Sequence, residues 1–345
     1  MASKFDISPE QEARMSQWLY RQFFLKTPPL TRHDADLKGR TAIITGSNTG
    51  LGLEAAQQLL DLGLSELIMA VRDVAKAATA RERLLKEQPQ GSCDIKIWSL
   101  DLSSFQSVME FVEQAKRLEH LDIVILNAAL YKITQEFNPS TGYDEDIHVN
   151  YLSNVLLMVT LLPCFNTSKD GHPGRLVLVS SEGASWARFA ERTKRPILGA
   201  FKEKTENWGM QERYGTSKLL GQFFFTELAR RVPSSMVTIT TANPGFCYGS
   251  ELAREGNGTF AGFLVRIAMR LIGKPLFMGA RSIVYAAAGF GEEVHGQYIE
   301  DGLIRPLAPI IYQTEGEELG RLIWGETMTE LAFAGVKDIV GDICV

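Results

Sequence analysis

From Arg40 onward, the sequence alternates short β-rich runs with longer helical patterns. Runs such as LDIVIL (121–126) and RLVLVS (175–180) are almost continuously apolar, as expected when helices cover both faces of a parallel sheet. The predicted strands are 41–45, 66–71, 95–100, 122–127, 175–180, 236–242 and a weaker 297–299, and the predicted helices are 50–62, 73–87, 103–119, 143–163, 211–231 and 279–290. We therefore predict an α/β fold with a doubly wound, mostly parallel sheet and helices on both faces.

The first predicted strand, TAIIT, runs into the glycine-rich turn GSNTGLG (46–52) and then into a helix that ends near Gly63. The N-terminus of a helix has free N–H groups and a positive dipole end, which together favour an anion. In this strand–turn–helix context the turn predicts a Rossmann-type site for the diphosphate of a dinucleotide. The predicted contacts are Gly46, Ser47, Asn48, Thr49, Gly50, Leu51 and Gly52.

The turn has the spacing T-G-x-x-x-G-x-G, and further motifs follow it in order. They are DL (101–102), NAA (127–129), VN (149–150), VSS (179–181), YGTSK (214–218) and NPG (243–245). Together they resemble the short-chain dehydrogenase/reductase family over roughly residues 38–300, with NAA where that family usually has N-A-G. The long gap between Ser181 and Tyr214 resembles the retinol-dehydrogenase-like branch, and the chain as a whole is similar to fungal members that serve secondary metabolism.

Tyr214 and Lys218 lie four residues apart in a predicted helix and therefore on one of its faces. A tyrosine, with an ordinary pKa of about 10, acts as an acid near neutrality only when a nearby cation stabilises its anion. The resemblance implies that Tyr214 donates the proton in reduction, that Lys218 lowers its pKa and holds the nicotinamide ribose, and that Ser181 orients the carbonyl. It also implies that Asn150 holds a water that relays protons to Lys218. Two alternatives stay open: Ser180 could replace Ser181, and Asn150 could instead satisfy backbone groups between strands.

The end of the second predicted strand distinguishes the two nicotinamide cofactors. NAD is normally bound there by an acidic residue, whereas a cation accommodates the 2′-phosphate of NADP. This chain has Arg72 at that point, followed by Asp73 as the expected N-cap of the next helix. We therefore expect NADP(H). The remaining cofactor contacts that the resemblance implies are Asp101, Leu102, Asn127, Ala128, Ala129, Tyr214, Lys218, Pro244, Gly245 and, in place of the family's threonine, Ser250.

Residues 1–38 are predicted to form an N-terminal helical extension. The sequence SPEQ (8–11) is a helix-start signal with a capping box, and the helix after it has an apolar stripe of Met15, Trp18, Leu19 and Phe23. We expect this stripe to pack on the chain's own domain. A substrate lid and a contact with a membrane surface are the alternatives.

The Rossmann domain itself is predicted over 39–305, with a substrate lid near 250–280. The apolar stretch 258–273 is expected to be that lid, with core or subunit packing and membrane-surface contact as alternatives. The basic, aromatic segment 188–208 is expected to form a rim over the pocket. Residues 306–345 are predicted to be a C-terminal helical extension, packed either on the sheet edge or near the pocket.

Composition excludes several classes of function. A net charge of −5 and a pI near 5.7 give no basic field for nucleic acid. The four cysteines lie far apart, which indicates neither a zinc site nor a disulfide framework, and we expect no bound metal. We find no signal peptide and no apolar run near the ~20 residues of a membrane span, so a cytoplasmic protein is expected. The sequence leaves a homodimer open.

These patterns predict an NADP(H)-dependent oxidoreductase that reduces a ketone or aldehyde of a medium-sized apolar molecule, or oxidises the matching alcohol. One alternative uses the same site for dehydration, epimerisation or cyclisation without net redox change. Another is a protein that binds NADP(H) as a sensor and has no turnover.

Overall fold

The computed structural model describes residues 5–165, 171–250 and 270–343. In these residues the sheet has eight strands in the order β3-β2-β1-β4-β5-β6-β7-β8. The first seven strands are parallel and β8 pairs antiparallel with β7. The strands are β1 (Thr41–Thr45), β2 (Glu66–Val71), β3 (Asp94–Ser99), β4 (Ile123–Leu126), β5 (Gly174–Val179), β6 (Val237–Asn243), β7 (Tyr298–Glu300) and β8 (Leu303–Arg305).

Helices cover both faces of this sheet. The described α-helices are α1 (Pro9–Glu12), α2 (Met15–Phe24), α3 (Gly50–Asp61), α4 (Val74–Lys86), α5 (Phe105–Ala115), α6 (Glu145–Ile147), α7 (Asn154–Thr160), α8 (Gly183–Trp186), α9 (Met210–Ala229), α10 (Leu276–Ala288), α11 (Thr314–Glu330) and α12 (Val336–Ile343). The predicted doubly wound α/β fold is confirmed. The short strand β8 was not predicted, because three residues are too few to show an alternating pattern.

The core has one layer on each side of the sheet. Helices α3, α4 and α10 pack on one face, and α5, α7, α9, α11 and α12 contribute to the layer on the other. The C-terminal extension belongs to that second layer, since Leu319 and Ile323 are buried and Trp324 stacks on Phe224 of α9 with ring centroids 4.6 Å apart. The tail therefore covers α9 and shares the main core.

The N-terminal extension begins as predicted, with Ser8 capping α1 in a capping box. The prediction that the apolar stripe of α2 packs on the domain holds for Trp18, whose ring contacts Trp186 and Phe246, but is wrong for the other three residues. Met15, Leu19 and Phe23 are 54%, 42% and 49% exposed, whereas the helix buries Arg21 and Gln22.

Buried partners explain this reversal. The Arg21 guanidinium pairs with Glu12 at 2.7 Å and with Glu300 of β7 at 3.0 Å. A charged group is tolerated in the interior when it is paired and hydrogen-bonded, so these partners decide which face of α2 turns inward.

The segment 188–208 was expected to form a rim, but much of it packs inside the domain. Phe189, Ile197 and Phe201 are fully buried. The Glu326 carboxylate of α11 accepts hydrogen bonds from the backbone N–H groups of Ile197 and Leu198 at 2.9 and 2.8 Å. The apolar residues of the segment thus fill the space beneath the C-terminal helix.

The predicted lid helix, 258–273, lies mostly outside the described residues, which resume at Arg270. Among the described residues, one helix, Glu145–Cys164, has the length and hydropathy of a membrane span. Its apolar window is 94% buried inside the fold, which is the environment of a core helix.

Candidate active site

The predicted site residues meet at the carboxyl edge of the parallel strands. The glycine turn follows β1, NAA follows β4, Ser181 follows β5 and NPG ends β6. Strands β1 and β4 are neighbours although β2 and β3 lie between them in sequence. Such a point, where the strand order reverses, opens the crevice in which ligands bind in this class of fold.

Glycine is required in the turn after β1 for two different reasons. Gly46 and Gly50 have φ values of +67° and +57°, a region that other residues rarely adopt. At Gly52, a Cβ atom would lie 2.5 Å from the Gly46 carbonyl oxygen and 2.6 Å from Nδ2 of Asn127. Any side chain at Gly52 would push the turn away from helix α3.

The turn also leaves the start of α3 open to a ligand. Thr49 is the N-cap residue, and within the described residues it makes no side-chain capping bond. The Ser47 hydroxyl is turned inward and donates to the carbonyl of Ile44 at 3.0 Å. The first N–H groups of α3 therefore have no capping side chain, so the turn fits the diphosphate of a dinucleotide.

The NAA segment supports this turn from the neighbouring strand. The backbone N–H groups of Asn127 and Ala128 donate to Oγ1 of Thr45 at 3.0 and 2.9 Å. Nδ2 of Asn127 donates to the Thr45 carbonyl at 2.9 Å. Asn127 thereby fixes the turn on β1 to the end of β4, with half-buried Ala129 after it.

The residues expected at the adenosine end occupy the same edge. Arg72 is exposed at the end of β2. The Asp73 carboxylate caps α4 by accepting from the N–H of Lys76 at 2.9 Å, as predicted. After β3, Asp101 accepts from the N–H of Ser103 at 3.0 Å, and the next residue, Leu102, is buried.

The two serines after β5 lie in different environments. Ser180 is buried, and its hydroxyl accepts a hydrogen bond from Gln222 at 3.1 Å. The hydroxyl of Ser181 hydrogen-bonds with Tyr214 and accepts from the N–H of Gly183 at 3.2 Å. Ser181 is therefore the serine that faces the tyrosine.

Tyr214 and Lys218 project from the same face of α9. Nζ of Lys218 donates to the Val179 carbonyl at 2.9 Å and lies 5.6 Å from the centroid of the Tyr214 ring. Burial lowers the pKa of Lys218 to about 8. Burial, followed by the charge of Glu182, raises the pKa of Tyr214 well above its ordinary value, although the hydrogen bond with Ser181 acts to lower it. The expected lowering of the tyrosine's pKa by Lys218 is thus not seen in this arrangement, in which the ammonium is bound to a carbonyl beside the phenol.

Asn150 lies in a π-helical turn, His148–Ser153, that joins α6 to α7. Its amide accepts from the N–H of Leu130 at 2.8 Å and donates to the carbonyl of Leu130 at 2.9 Å and to the Ser217 hydroxyl at 3.1 Å. Two of these bonds satisfy backbone groups of Leu130, which is the alternative role expected for Asn150. They hold the loop that places the Tyr131 ring 5.0 Å from the Tyr214 ring.

The NPG motif turns sharply at the end of β6. Gly245 has a φ of +70°, and its N–H donates to Oδ1 of Asn243 at 3.0 Å, with Pro244 between them. Gly249, at the position of the family's threonine, has a φ of +87° and no side chain to offer. Ser250, the expected substitute, is half-buried at the last described position before residue 270.

Comparison with known proteins identifies this arrangement. The family model for the short chain dehydrogenase matches residues 40–191. The short-chain dehydrogenase fogG of Aspergillus ruber is 52% identical over 347 residues, which cover 99% of both chains. The chain belongs to the short-chain dehydrogenase family. The predicted resemblance to fungal members is confirmed.

Solved structures agree on the fold of this short-chain dehydrogenase. The angucycline C-6 ketoreductase LanV with bound NADP has a TM-score of 0.57 at 20% identity, covering 77% of this chain and 95% of that one. The Pseudomonas aeruginosa RhlG/NADP active-site complex has a TM-score of 0.56 at 22% identity, covering 77% and 96%. Both share the architecture described above.

Several residues around Tyr214 of this short-chain dehydrogenase were not predicted from its sequence. Tyr131 packs on its ring, and Glu182 and Asp146 act on it electrostatically. Glu182 could have been noticed because it directly follows Ser181. Asp146 lies one helical turn before Asn150, but nothing local in the sequence indicates that it is buried.

Asp146 makes the stability of this short-chain dehydrogenase depend on pH. Burial and the charge of Asp144 raise the pKa of Asp146 to about 8, so between about 4 and 8 the folded protein holds a proton that the unfolded chain has released. Stability contributed by this group therefore falls as the pH rises through that window. We expect Asp146→Asn to increase the free energy of unfolding at pH 8 by on the order of 1 kcal/mol or more, with little effect near pH 4.

Urea unfolding at pH 4, 6 and 8 checks this prediction. Asp338→Asn, at an exposed position on α12, is the matched control and should follow the wild type at every pH. If the curves of Asp146→Asn and the wild type run parallel across the window, the buried carboxyl is not the source of the pH dependence.

Proposed function

We propose that this chain is an NADP(H)-dependent oxidoreductase that reduces a ketone or aldehyde of a medium-sized apolar metabolite, or oxidises the matching alcohol. The observation that carries the proposal is the cluster of Ser181, Tyr214 and Lys218 at the same sheet edge as the glycine turn. The phenol can give the carbonyl oxygen its proton, and the hydroxyl can donate a hydrogen bond to that oxygen. The ammonium can stabilise the phenolate that is left.

NADPH, when bound, supplies the hydride, and the turn at Gly46–Gly52 and the start of α3 would hold its diphosphate. The Ser181 hydroxyl orients the substrate oxygen by donating a hydrogen bond. Tyr214 gives that oxygen a proton, and its raised pKa keeps the phenol in the protonated, donating form. With a pKa of about 8, Lys218 is mostly charged at pH 7 and stabilises the phenolate that remains.

Asn150 has a positioning role in this proposal. Because both ends of its amide bind Leu130 or Ser217, it holds Tyr131 against the catalytic tyrosine. Ser250 is the proposed contact to the nicotinamide amide, and Asp101 and Leu102 are the proposed contacts to adenine.

The expected preference for NADP(H) rests on Arg72. An exposed guanidinium at the end of β2, with Asp73 already used to cap α4, suits a 2′-phosphate rather than a 2′-hydroxyl. The two NADP-bound relatives described above support this choice. A role in fungal secondary metabolism is proposed from the fungal relatives. A cytoplasmic location is proposed from the free thiols of Cys93, Cys164 and Cys247. The homodimer stays a prediction.

Replacing Arg72 tests the cofactor assignment. We expect Arg72→Ser to weaken NADPH binding about tenfold, because a charge-assisted hydrogen bond to the phosphate is lost, and to leave NADH binding unchanged. Arg83→Ser, on the exposed surface of α4, is the control. Fluorescence titration with both cofactors gives the answer, and an equal loss for NADPH and NADH would contradict the assignment.

A panel of ketones and aldehydes tests the activity itself. We expect the wild type to oxidise NADPH steadily in the presence of at least one carbonyl compound and to form the corresponding alcohol. Conversion of a substrate with no change in NADPH would favour dehydration, epimerisation or cyclisation. Tight NADPH binding without turnover on any carbonyl would contradict the proposed reductase.

A further inference from the structure

The N-terminal extension reaches the catalytic edge of the sheet. Nε1 of Trp18, on α2, donates a hydrogen bond to Oε1 of Glu182 at 3.1 Å. Glu182 directly follows Ser181, and its negative charge acts to raise the pKa of Tyr214. One side chain of the extension therefore touches the residue next to the catalytic serine.

Trp18 also contacts the two segments that flank the site. Its ring centroid lies 6.0 Å from that of Trp186, at the end of α8, and 6.3 Å from that of Phe246, directly after NPG. Both pairs have edge-to-face geometry, a favourable arrangement for aromatic rings. Trp186 in turn donates from Nε1 to the carbonyl of Ala13 at 2.9 Å, so the contact between extension and domain is reciprocal.

Helix α2 is held in this position by buried contacts away from Trp18. Arg21 forms its ion pairs with Glu12 and Glu300. Nε2 of Gln22 donates to the carbonyls of Phe246 and Ile272 at 2.7 and 2.9 Å. Because these contacts fix the helix, the place of Trp18 does not depend on its own ring contacts alone.

We propose that Trp18 is a specificity-determining residue, whose indole forms one wall of the substrate pocket and positions Glu182 beside the catalytic pair. This inference rests on the proposed carbonyl reductase function. The wall is aromatic and only half-buried, so it offers apolar surface to the body of a substrate whose carbonyl lies at Ser181 and Tyr214.

The test compares Trp18→Ala with Tyr20→Ala, which removes an exposed ring from the same helix. Aryl ketones of increasing size are assayed with NADPH. We expect Trp18→Ala to raise KM for the best substrate about tenfold or more and to change the order of preference, with kcat changed little and NADPH affinity unchanged. Tyr20→Ala should match the wild type, and Trp18→Phe, which keeps a ring, should recover most of the KM. If Trp18→Ala does not fold, the KM of Trp18→Phe across the same ketones is compared with that of the wild type.

The inference alone is overturned if the wild type is active but Trp18→Ala keeps its KM within about twofold across the ketone series, with the order of preference unchanged. Absence of turnover by the wild type on every ketone would overturn the proposed function and this inference with it.

Discussion

Replacing Tyr214 with phenylalanine is expected to lower kcat for carbonyl reduction by about 10²–10⁴-fold, the range for loss of a positioned general acid. The substitution removes one oxygen from a half-buried ring and leaves the ring's packing on Tyr131 intact. The substrate oxygen then loses its proton donor, while the glycine turn that would bind the cofactor is unchanged. NADPH affinity should therefore stay near that of the wild type.

Tyr131→Phe is the matched control, because it removes a hydroxyl from the neighbouring ring. Stopped-flow or steady-state oxidation of NADPH with the best carbonyl substrate measures both variants. If Tyr214→Phe retains more than about a tenth of wild-type kcat, another group protonates the product and the proposed role of Tyr214 is wrong.

Substituting alanine for Gly52 is expected to weaken NADPH binding by about 10–100-fold, because backbone N–H groups of the turn would lose their hydrogen bonds to the charged diphosphate. The added Cβ would meet the Gly46 carbonyl and the Asn127 amide at 2.5 and 2.6 Å. Neither is the loose end of a flexible side chain, so the turn must shift and its N–H groups lose their alignment. We also expect an overpacking cost of about 1–3 kcal/mol in the free energy of unfolding.

Gly325→Ala separates this effect from the general consequence of a glycine-to-alanine change in a helix. Gly325 lies within α11, and a Cβ there would have no neighbour within 4 Å. It should stabilise the protein by about 0.5–1 kcal/mol and leave NADPH affinity unchanged. Calorimetric titration with NADPH, together with urea unfolding, tests both. Equal NADPH affinities for the two variants would show that the turn does not hold the diphosphate.

Local patterns in the sequence were sufficient to predict the seven parallel strands of the sheet and the shared face of Tyr214 and Lys218 on α9. The apolar runs of β1, β4 and β5 need only their own residues and a turn to be recognised. The spacing of Tyr214 and Lys218 fixes their shared face because a helix has 3.6 residues per turn. The placement of the glycine turn likewise follows from the strand before it and the helix after it.

Contacts between distant parts of the chain could not be predicted in this way. Trp18 and Glu182 are 164 residues apart, and Arg21 and Glu300 are 279 apart. The apolar stripe of α2 did not predict that Arg21 and Gln22 are the residues the helix buries, because periodicity cannot show that a carboxylate on a distant strand pairs with an arginine. The pKa of Tyr214 depends in the same way on burial and on Glu182, and neither is visible in the spacing Y-x-x-x-K.

Transfer of deuterium from labelled NADPH to the product tests whether this chain is a carbonyl reductase. The wild type is given NADPH deuterated at the transferable C4 position together with its best ketone, and the product is examined by mass spectrometry and NMR. We expect one deuterium on the carbon that bears the new hydroxyl group. A product that forms without deuterium at that carbon would contradict the assignment of this chain as a carbonyl reductase.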